Sequence, residues 1–316
     1  MSLIRAKHAT VLLPGAFSGK LARRLTCMLL ALVAYSGASR AYADDATLNP
    51  ATALRAKYAE LSGKLENNAF RKPLYLESSE ASGELQANVY AVLRHPFPAV
   101  QSELKQPAHW CDILILHPNT KYCRASTEGA GTVLKVNIGR KSDQPVGQSY
   151  RVDFAYRMIE AGPDHLAVVL NAGQGPFGTR NYRLLLEAVP LKNGQTFIHL
   201  AYSYNYGTTA KLAILAYLGT AGRKKVGFTV TGTRNDGQVA YIDGLRGLIE
   251  RNTMRYYLAI EAYFGALSVA PSAQLEKRLR DWYASAERYP RQLHEIAQQD
   301  YLEMKRRETL RQQSEL

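Results

Sequence analysis

Residues 109–123, HWCDILILHPNTKYC, bring Cys111, Cys123, His109 and His117 within fifteen positions. Side chains of these types at such distances can bind a metal, pair a thiolate nucleophile with a base, or form a structural disulfide. A tetrahedral zinc site takes about four ligands at short spacings, and this stretch has neither a C-x-x-C nor an H-x-x-x-H pair. A catalytic thiol has to be kept reduced. The compartment therefore decides between the readings.

The N-terminus bears on the compartment. Basic residues up to Arg24 precede an apolar run from Leu25 to about Ser36, and Ala41-Tyr42-Ala43 follows ahead of two aspartates. This is the three-part layout of a secretory signal peptide with an A-x-A cleavage site. The apolar run is roughly a dozen residues, against roughly 20 for a spanning helix. The sequence thus predicts cleavage near Ala43 and a periplasmic or secreted product. Cleavage removes Cys27 and leaves Cys111 and Cys123 as an even pair. An oxidising compartment favours a disulfide between them, with two buried free thiols as the alternative. The signal segment carries six basic residues (Arg5, Lys7, Lys20, Arg23, Arg24, Arg40) and no acidic one, so the formal charge of +13 falls to about +7 in the mature chain. No basic run or RNA motif accompanies that charge, and no nucleic-acid partner is expected. An anionic membrane surface or anionic ligand suits it better.

Gly173–Gly178, GQGPFG, spells G-x-G-x-x-G. The dinucleotide fingerprint has to open a helix after a parallel strand. This copy contains Pro176 and leads into the strand-patterned NYRLLLEAV, so a loop between two strands at the mouth of a cavity is the expectation. His165 and His199 lie on strand-like segments near Asp153, Glu160 and Glu187, and could supply a general acid and base. Alternation puts Asp153, Glu187 and His199 on the polar, outward face. The chain contains no G-x-S-x-G, H-E-x-x-H or C-x-x-C. Neither a metal nor a cofactor is expected, and binding is favoured over catalysis.

Tyrosine is the unusual component, with 20 in the chain. Tyr202, Tyr204 and Tyr206 continue one face of a strand from Ile198 and Leu200. Tyr156 and Tyr182 occupy the corresponding face of other strands, and Tyr256, Tyr257 and Tyr263 lie on a long helix. An aromatic body with a polar tip suits a wall that meets both an apolar ligand and some water. The competing reading is a set of core and rim fillers with locally bonded hydroxyls.

Several elements have to position these groups. Asn49-Pro50 caps a run with Leu54, Tyr58, Leu61 and Leu65 at helical spacing. From residue 84 to about 206 the period becomes two: Leu85, Ala87, Val89, Ala91 and Leu93 alternate with mostly polar neighbours, and GTVLKVNIG, SYRVDFAYRM, HLAVVLNAG, NYRLLLEAV and TFIHLAYSYNY continue the series. One dry face and one wet face predict a curved antiparallel sheet. PFPAVQSELKQPAHWCDILI, with Pro96 and Pro98, predicts two short helices after the first strand. The compact TAKLAILAYLGTA, a strand-like KVGFTVTG and the long helix IDGLRGLIERNTMRYYLAIEAYFGAL close the series.

The strand into HPFPAVQSELKQPAHWCDIL, the meander and the closing RNTMRYYLAIEAY helix together resemble the START-like, or SRPBCC, superfamily of hydrophobic-ligand-binding folds. The resemblance covers roughly residues 74 to 266. It implies an α+β helix-grip fold, with the antiparallel sheet wrapped around a long C-terminal helix and extra helices at both ends. It also implies a hydrophobic, lipid-like ligand between sheet and helix, contacted by Tyr156, Tyr182, Tyr202, Tyr204, Tyr206, Leu215 and Tyr256. The enzyme alternative borrows the superfamily's cyclase and hydrolase members, with His165 or His199 as base. A third alternative is an envelope interaction protein with a filled core. Residues 208–232 depart from simpler members by inserting a segment before the last helix.

That insertion begins with a short helix that is apolar nearly all round, at Leu212, Ile214, Leu215, Tyr217 and Leu218. Such a helix is buried or touches ligand or membrane, and Lys211, Arg223, Lys224 and Lys225 would suit anionic headgroups. The organisation expected is therefore a signal peptide over 1–43, an entry helix and linker over 44–73, the ligand-binding domain over 74–268 and a charged helical tail over 269–316. The tail carries Leu275, Leu279, Trp282, Ala286 and Tyr289 as a stripe, which either docks on the domain or meets a protein partner.

Overall fold

The computed structural model describes residues 49–129, 131–220 and 222–314. The signal-peptide expectation, with Cys27 and the cleavage site at Ala43, lies outside them. Helix α1, Pro50–Glu66, starts where Asn49 Oδ1 accepts the Ala51 N–H at 2.9 Å, satisfying one of the amides that a helix start leaves open. Strands β1 (Leu74–Ala81) and β2 (Glu84–Leu93) form a hairpin. Helices α2 (Phe97–Leu104) and α3 (Pro107–Leu114) follow, each with a proline in its first turn, where no amide is missed. They carry the chain to β3, Thr120–Glu128, at the far edge of the sheet.

The meander then returns through β4 (Gly131–Ile138), β5 (Tyr150–Ala161), β6 (Leu166–Gln174), β7 (Arg180–Pro190) and β8 (Thr196–Asn205). The order across the antiparallel sheet is β1-β2-β8-β7-β6-β5-β4-β3. Between β7 and β8, Gly194 takes φ +75° in the turn announced by Asn193-Gly194, a conformation that costs a glycine little. Helix α4 (Thr208–Gly219) and a separate hairpin of β9 (Val230–Thr233) and β10 (Val239–Tyr241) form the insertion. Helix α5, Gly244–Ala266, then packs on β1, β2 and β8. Helices α6 (Pro271–Ala286), α7 (Pro290–Leu293) and α8 (Gln298–Ser314) end the chain.

The alternating residues of β2 and β8 lie in one core with α5: Leu85, Val89, Ile198 and Leu200 are buried against it together with Tyr257, Ile260 and Phe264. This is the helix-grip arrangement. One expectation about surfaces changes, and of the two readings of the tail the docked one holds. The outer face of the sheet is dry where α1 covers it, since Leu54, Leu61 and Leu65 form a second cluster with Tyr90, Val92, Val189 and Phe197. The tail is no separate arm either. Leu279, Trp282, Tyr301, Leu302 and Met304 join the main core, so the stripe that a protein partner would have needed is spent inside the molecule.

The tail is also held by buried charge. On α8, Glu308 meets Lys121 at 3.0 Å and Lys305 at 2.7 Å, and none of the three side chains is exposed. Lys305 Nζ also donates to the His117 and Thr120 carbonyls, both at 2.7 Å, and Lys121 Nζ to those of Pro118 and Ser142. Every ammonium is thus caged, which is the condition under which buried charge is tolerated.

Cys111 on α3 and Cys123 on β3 are bridged, with Cα atoms 5.1 Å apart and a sequence separation of 12. Closing a loop of that size stabilises by about 3 kcal/mol in the chain-entropy account. Thiol titration of the unfolded, unreduced mature protein is expected to find no free cysteine. Two titratable thiols per chain would contradict the bridge.

Candidate functional site

A cavity of about 270 Å³ lies between the sheet, α5 and α4. Tyr182 of β7 and Tyr202 and Tyr204 of β8 line it from the sheet, Leu248, Asn252 and Tyr256 from α5, and Ala213 and Ile214 from α4. Pro176, Phe177 and Thr179 close one side, and His117, Asn119 and Ile138 another. The aromatic wall is continuous. The Tyr182 and Tyr204 rings stack with centroids 5.1 Å apart, and Tyr202 meets Tyr256 edge-on at 5.3 Å.

Burial sets the chemistry of these phenols. It raises the Tyr182 hydroxyl to about 12 and lifts Tyr202, Tyr204 and Tyr256 further. All four are neutral at physiological pH, so the wall offers hydrogen bonds and aromatic faces, not charge. Thr179 Oγ1 donates to the Pro176 carbonyl at 2.5 Å, which leaves its oxygen to accept from the Tyr182 hydroxyl at 2.7 Å. That chain of bonds fixes the Tyr182 ring.

The loop that spells G-x-G-x-x-G joins β6 to β7 and brings Pro176 and Phe177 to the cavity. A Cβ at Gly175 would overlap the Tyr182 ring. The glycine serves close packing of an aromatic wall and cradles no phosphate.

The expected tyrosines divide. Tyr182, Tyr202, Tyr204 and Tyr256 line the cavity; Tyr156, Tyr206 and Leu215 do not. Tyr156 shares the inner face but stands nearer the α2–α3 connection, where its hydroxyl donates to the Leu104 and Lys105 carbonyls at 3.2 and 3.0 Å. Tyr206 lies just past the end of β8, and its hydroxyl donates to Glu80. On α4, Ala213 and Ile214 turn to the cavity, leaving Leu212 63% and Leu215 44% exposed. The two histidines considered as bases are elsewhere. His165 bonds Glu160 at 2.8 Å; His199 bonds Glu187 and Asn88, both at 3.0 Å, and stacks on Tyr90 beside the α1 cluster. Neither lines the cavity.

His117 is the polar group that sequence reading had placed only among metal or thiol partners. It is 3% exposed, packs on Tyr256 at 4.9 Å and lines the cavity. Its Nδ1 accepts the Asn119 N–H at 3.1 Å, so the neutral ring carries its proton on Nε2. Burial, with Arg255, Lys305 and Lys141 nearby, holds the ring well below the usual imidazole range, against a small opposing effect of Asn252. Nε2 is buried beside Asn252, a weak partner that also lines the cavity, and meets no other polar group. A buried donor in that position is costly to leave unmatched, and an oxygen acceptor on a ligand would satisfy it. Among the described residues no group of three or more His, Cys, Asp or Glu could hold a metal.

No family model matches the chain, and no curated protein matches it. Among solved structures it is similar to the ZhuI aromatase/cyclase from Streptomyces sp. R1128, with 12% identity over 62% of this chain and 94% of that one and a TM-score of 0.33. The human StAR-related lipid transfer protein 5 gives 9% identity over 54% and 88%, with a TM-score of 0.27. A conserved protein from Geobacillus kaustophilus gives 18% over 44% and 86%, with a TM-score of 0.30. Likeness at this level says nothing of ligand or activity. By its own topology, an eight-stranded antiparallel sheet packed on α5 through β1, β2 and β8, the chain has a helix-grip fold.

Proposed function

We propose that the mature protein is an exported binding or carrier protein for a hydrophobic, lipid-like molecule held between the sheet and α5. The observation that carries this reading is the tyrosine-walled cavity, with the weakly bonded His117 Nε2–H buried in its wall. It offers an apolar body many ring contacts and one acceptor oxygen a partner. Export rests on the N-terminal layout of basic, apolar and A-x-A segments. At about 270 Å³ the cavity is at the small end of ligand pockets, so a larger ligand enters by displacing α4.

Helix α4 supports that role as a lid. Leu212, Leu215 and Phe177 are exposed beside the cavity, an arrangement that costs solvation in water and gains it in an apolar phase. Exposed Lys211 on the helix and Arg223 and Lys224 beyond its end suit anionic headgroups. No described helix is long and apolar enough to cross a membrane.

The test begins with organic-solvent extraction of the purified protein and mass spectrometry of the extract. A stoichiometric amphiphile is expected; an empty extract, with no uptake of added fatty acid or lipid, would end the proposal. The lid is tested by Leu212→Glu with Leu215→Glu. Because both side chains are exposed, the melting temperature should shift by no more than about 2 °C, surface changes being worth about 0.5 kcal/mol or less. Association with phosphatidylglycerol vesicles should fall at least tenfold. Unchanged association removes the membrane role.

A further inference from the structure

A second cleft, of about 940 Å³, opens between β1, the β9–β10 hairpin and the α6–α7 connection. It shares no lining residue with the tyrosine cavity. Arg71, Arg246, Arg288 and Arg291 line it against one carboxylate, Glu77. None of these four arginines is ion-paired to a carboxylate among the described residues.

The nearby acids are engaged elsewhere. Glu261, in the adjoining groove that Arg71 and Arg288 also line, pairs with Lys72 at 2.6 Å. Glu250, buried beneath the cleft, accepts from the Phe228 and Thr229 amides and the Thr229 and Ser78 hydroxyls. Ser78 in turn anchors Arg246, whose Nη2 donates to the Ser78 carbonyl at 2.8 Å and whose Nε donates to Ser78 Oγ at 3.1 Å.

The floor is aromatic. Phe228 packs on Phe70 at 5.7 Å and on Tyr289 at 5.4 Å, and the Arg291 guanidinium lies 5.3 Å from the Tyr241 ring. Arg71 holds φ +54°, a left-handed conformation that is unfavourable for a residue with a Cβ. Planar guanidinium forks match phosphate oxygens in bidentate fashion, while the ring floor accepts an apolar body.

We propose that this cleft is a second binding site, for an amphiphile carrying a phosphate group: the arginines take the phosphate and the Phe70–Phe228–Tyr289 floor takes the adjoining hydrocarbon. The site is independent of the tyrosine cavity, so either can fail without the other.

Calorimetric titration of the mature protein with two probes tests it: inorganic phosphate, and dihexanoyl phosphatidic acid below its micelle concentration. The short-chain lipid should bind one to one, at least tenfold more tightly than inorganic phosphate, and weaken as salt rises. Arg71→Ala with Arg288→Ala should reduce its affinity at least tenfold while the ligand extracted from the tyrosine cavity stays at wild-type stoichiometry. Both side chains are exposed, so the fold should survive; Arg288→Glu alone provides a second reading, with a larger loss expected than for Arg288→Ala. Equal affinity for the two probes would confine the site to phosphate and overturn the amphiphile. Absence of binding by both probes, or lipid binding unchanged in the double variant, would overturn the site.

Discussion

Replacing Glu308 by alanine is expected to destabilise the protein by about 3–5 kcal/mol, the usual loss when one partner of a buried ion pair is removed. Two ammonium groups, Lys121 and Lys305, are fully buried against that one carboxylate. Without it, two like charges face each other in a medium that solvates neither. Burial already lowers Lys305 to about 8, with Glu308 opposing the shift and Lys121 adding to it. For a domain of this size the melting temperature should drop by about 10 °C or more. The triple variant Lys121→Met, Lys305→Met, Glu308→Leu should recover most of the loss, because a packed apolar replacement of a buried ion cluster is often neutral. A Glu308→Ala protein that melts within about 2 °C of wild type would show that the three groups are not a buried network. The loss should also reach the ligand site, since Lys305 Nζ holds the His117 carbonyl. Weaker ligand retention should therefore accompany the lower melting temperature.

The parts of this fold that the sequence made legible are those in which one period governs a whole element. In β2, Leu85 to Leu93 alternate over a complete strand, and β8 carries Ile198, Leu200, Tyr202 and Tyr204 into the same core. Strands β1 and β3 were not anticipated. They are the two edges of the sheet; LYLESSEA becomes polar and exposed towards its end, and in TKYCRASTE the four residues Thr120 to Cys123 are all buried where α3 and α8 pack, so neither segment alternates along its length. Helix α4 illustrates a second limit. A helix apolar on every side has no polar stripe to orient it, so nothing local distinguishes Ile214, which lines the cavity, from Leu215, which faces out. Likewise β8 stops at Asn205, and Tyr206 leaves the register that its spacing from Tyr204 suggested. His117 was the least legible. It sits in the connection between α3 and β3, where no period operates, and only long-range folding brings it to Tyr256 and beneath the Lys305 of α8.

The buried lysines and tyrosines together predict an alkaline maximum in stability. Burial lowers Lys141 and Lys305 to about 8 and lowers Lys121 and Lys225 as well. Unfolded, all four keep their protons up to about 10.4. Between about pH 8 and 10 the unfolded chain therefore binds more protons than the folded one, and stability rises with pH. Each fully exercised shift of two units is worth on the order of 3 kcal/mol at a buried site such as Lys305. The tyrosines act in the opposite direction at higher pH. Burial raises Tyr90, Tyr156 and Tyr182 to about 12 and lifts Tyr202, Tyr204, Tyr257 and Tyr301 further. Above about pH 10 the unfolded chain loses phenolic protons that the folded one retains, and stability falls steeply. His117 adds an acid limb: its folded ring resists protonation, so stability also declines as pH drops below about 6.5. The urea midpoint measured at pH 6, 7.5, 9.5 and 11 should rise from the first to the third and collapse at the fourth. Phenolate absorbance near 295 nm should appear for the buried tyrosines only as the protein unfolds. A midpoint at pH 9.5 no higher than at pH 7.5 would mean that these ammonium groups keep near-ordinary proton affinities in the folded protein, and the lowering by burial would have to be abandoned.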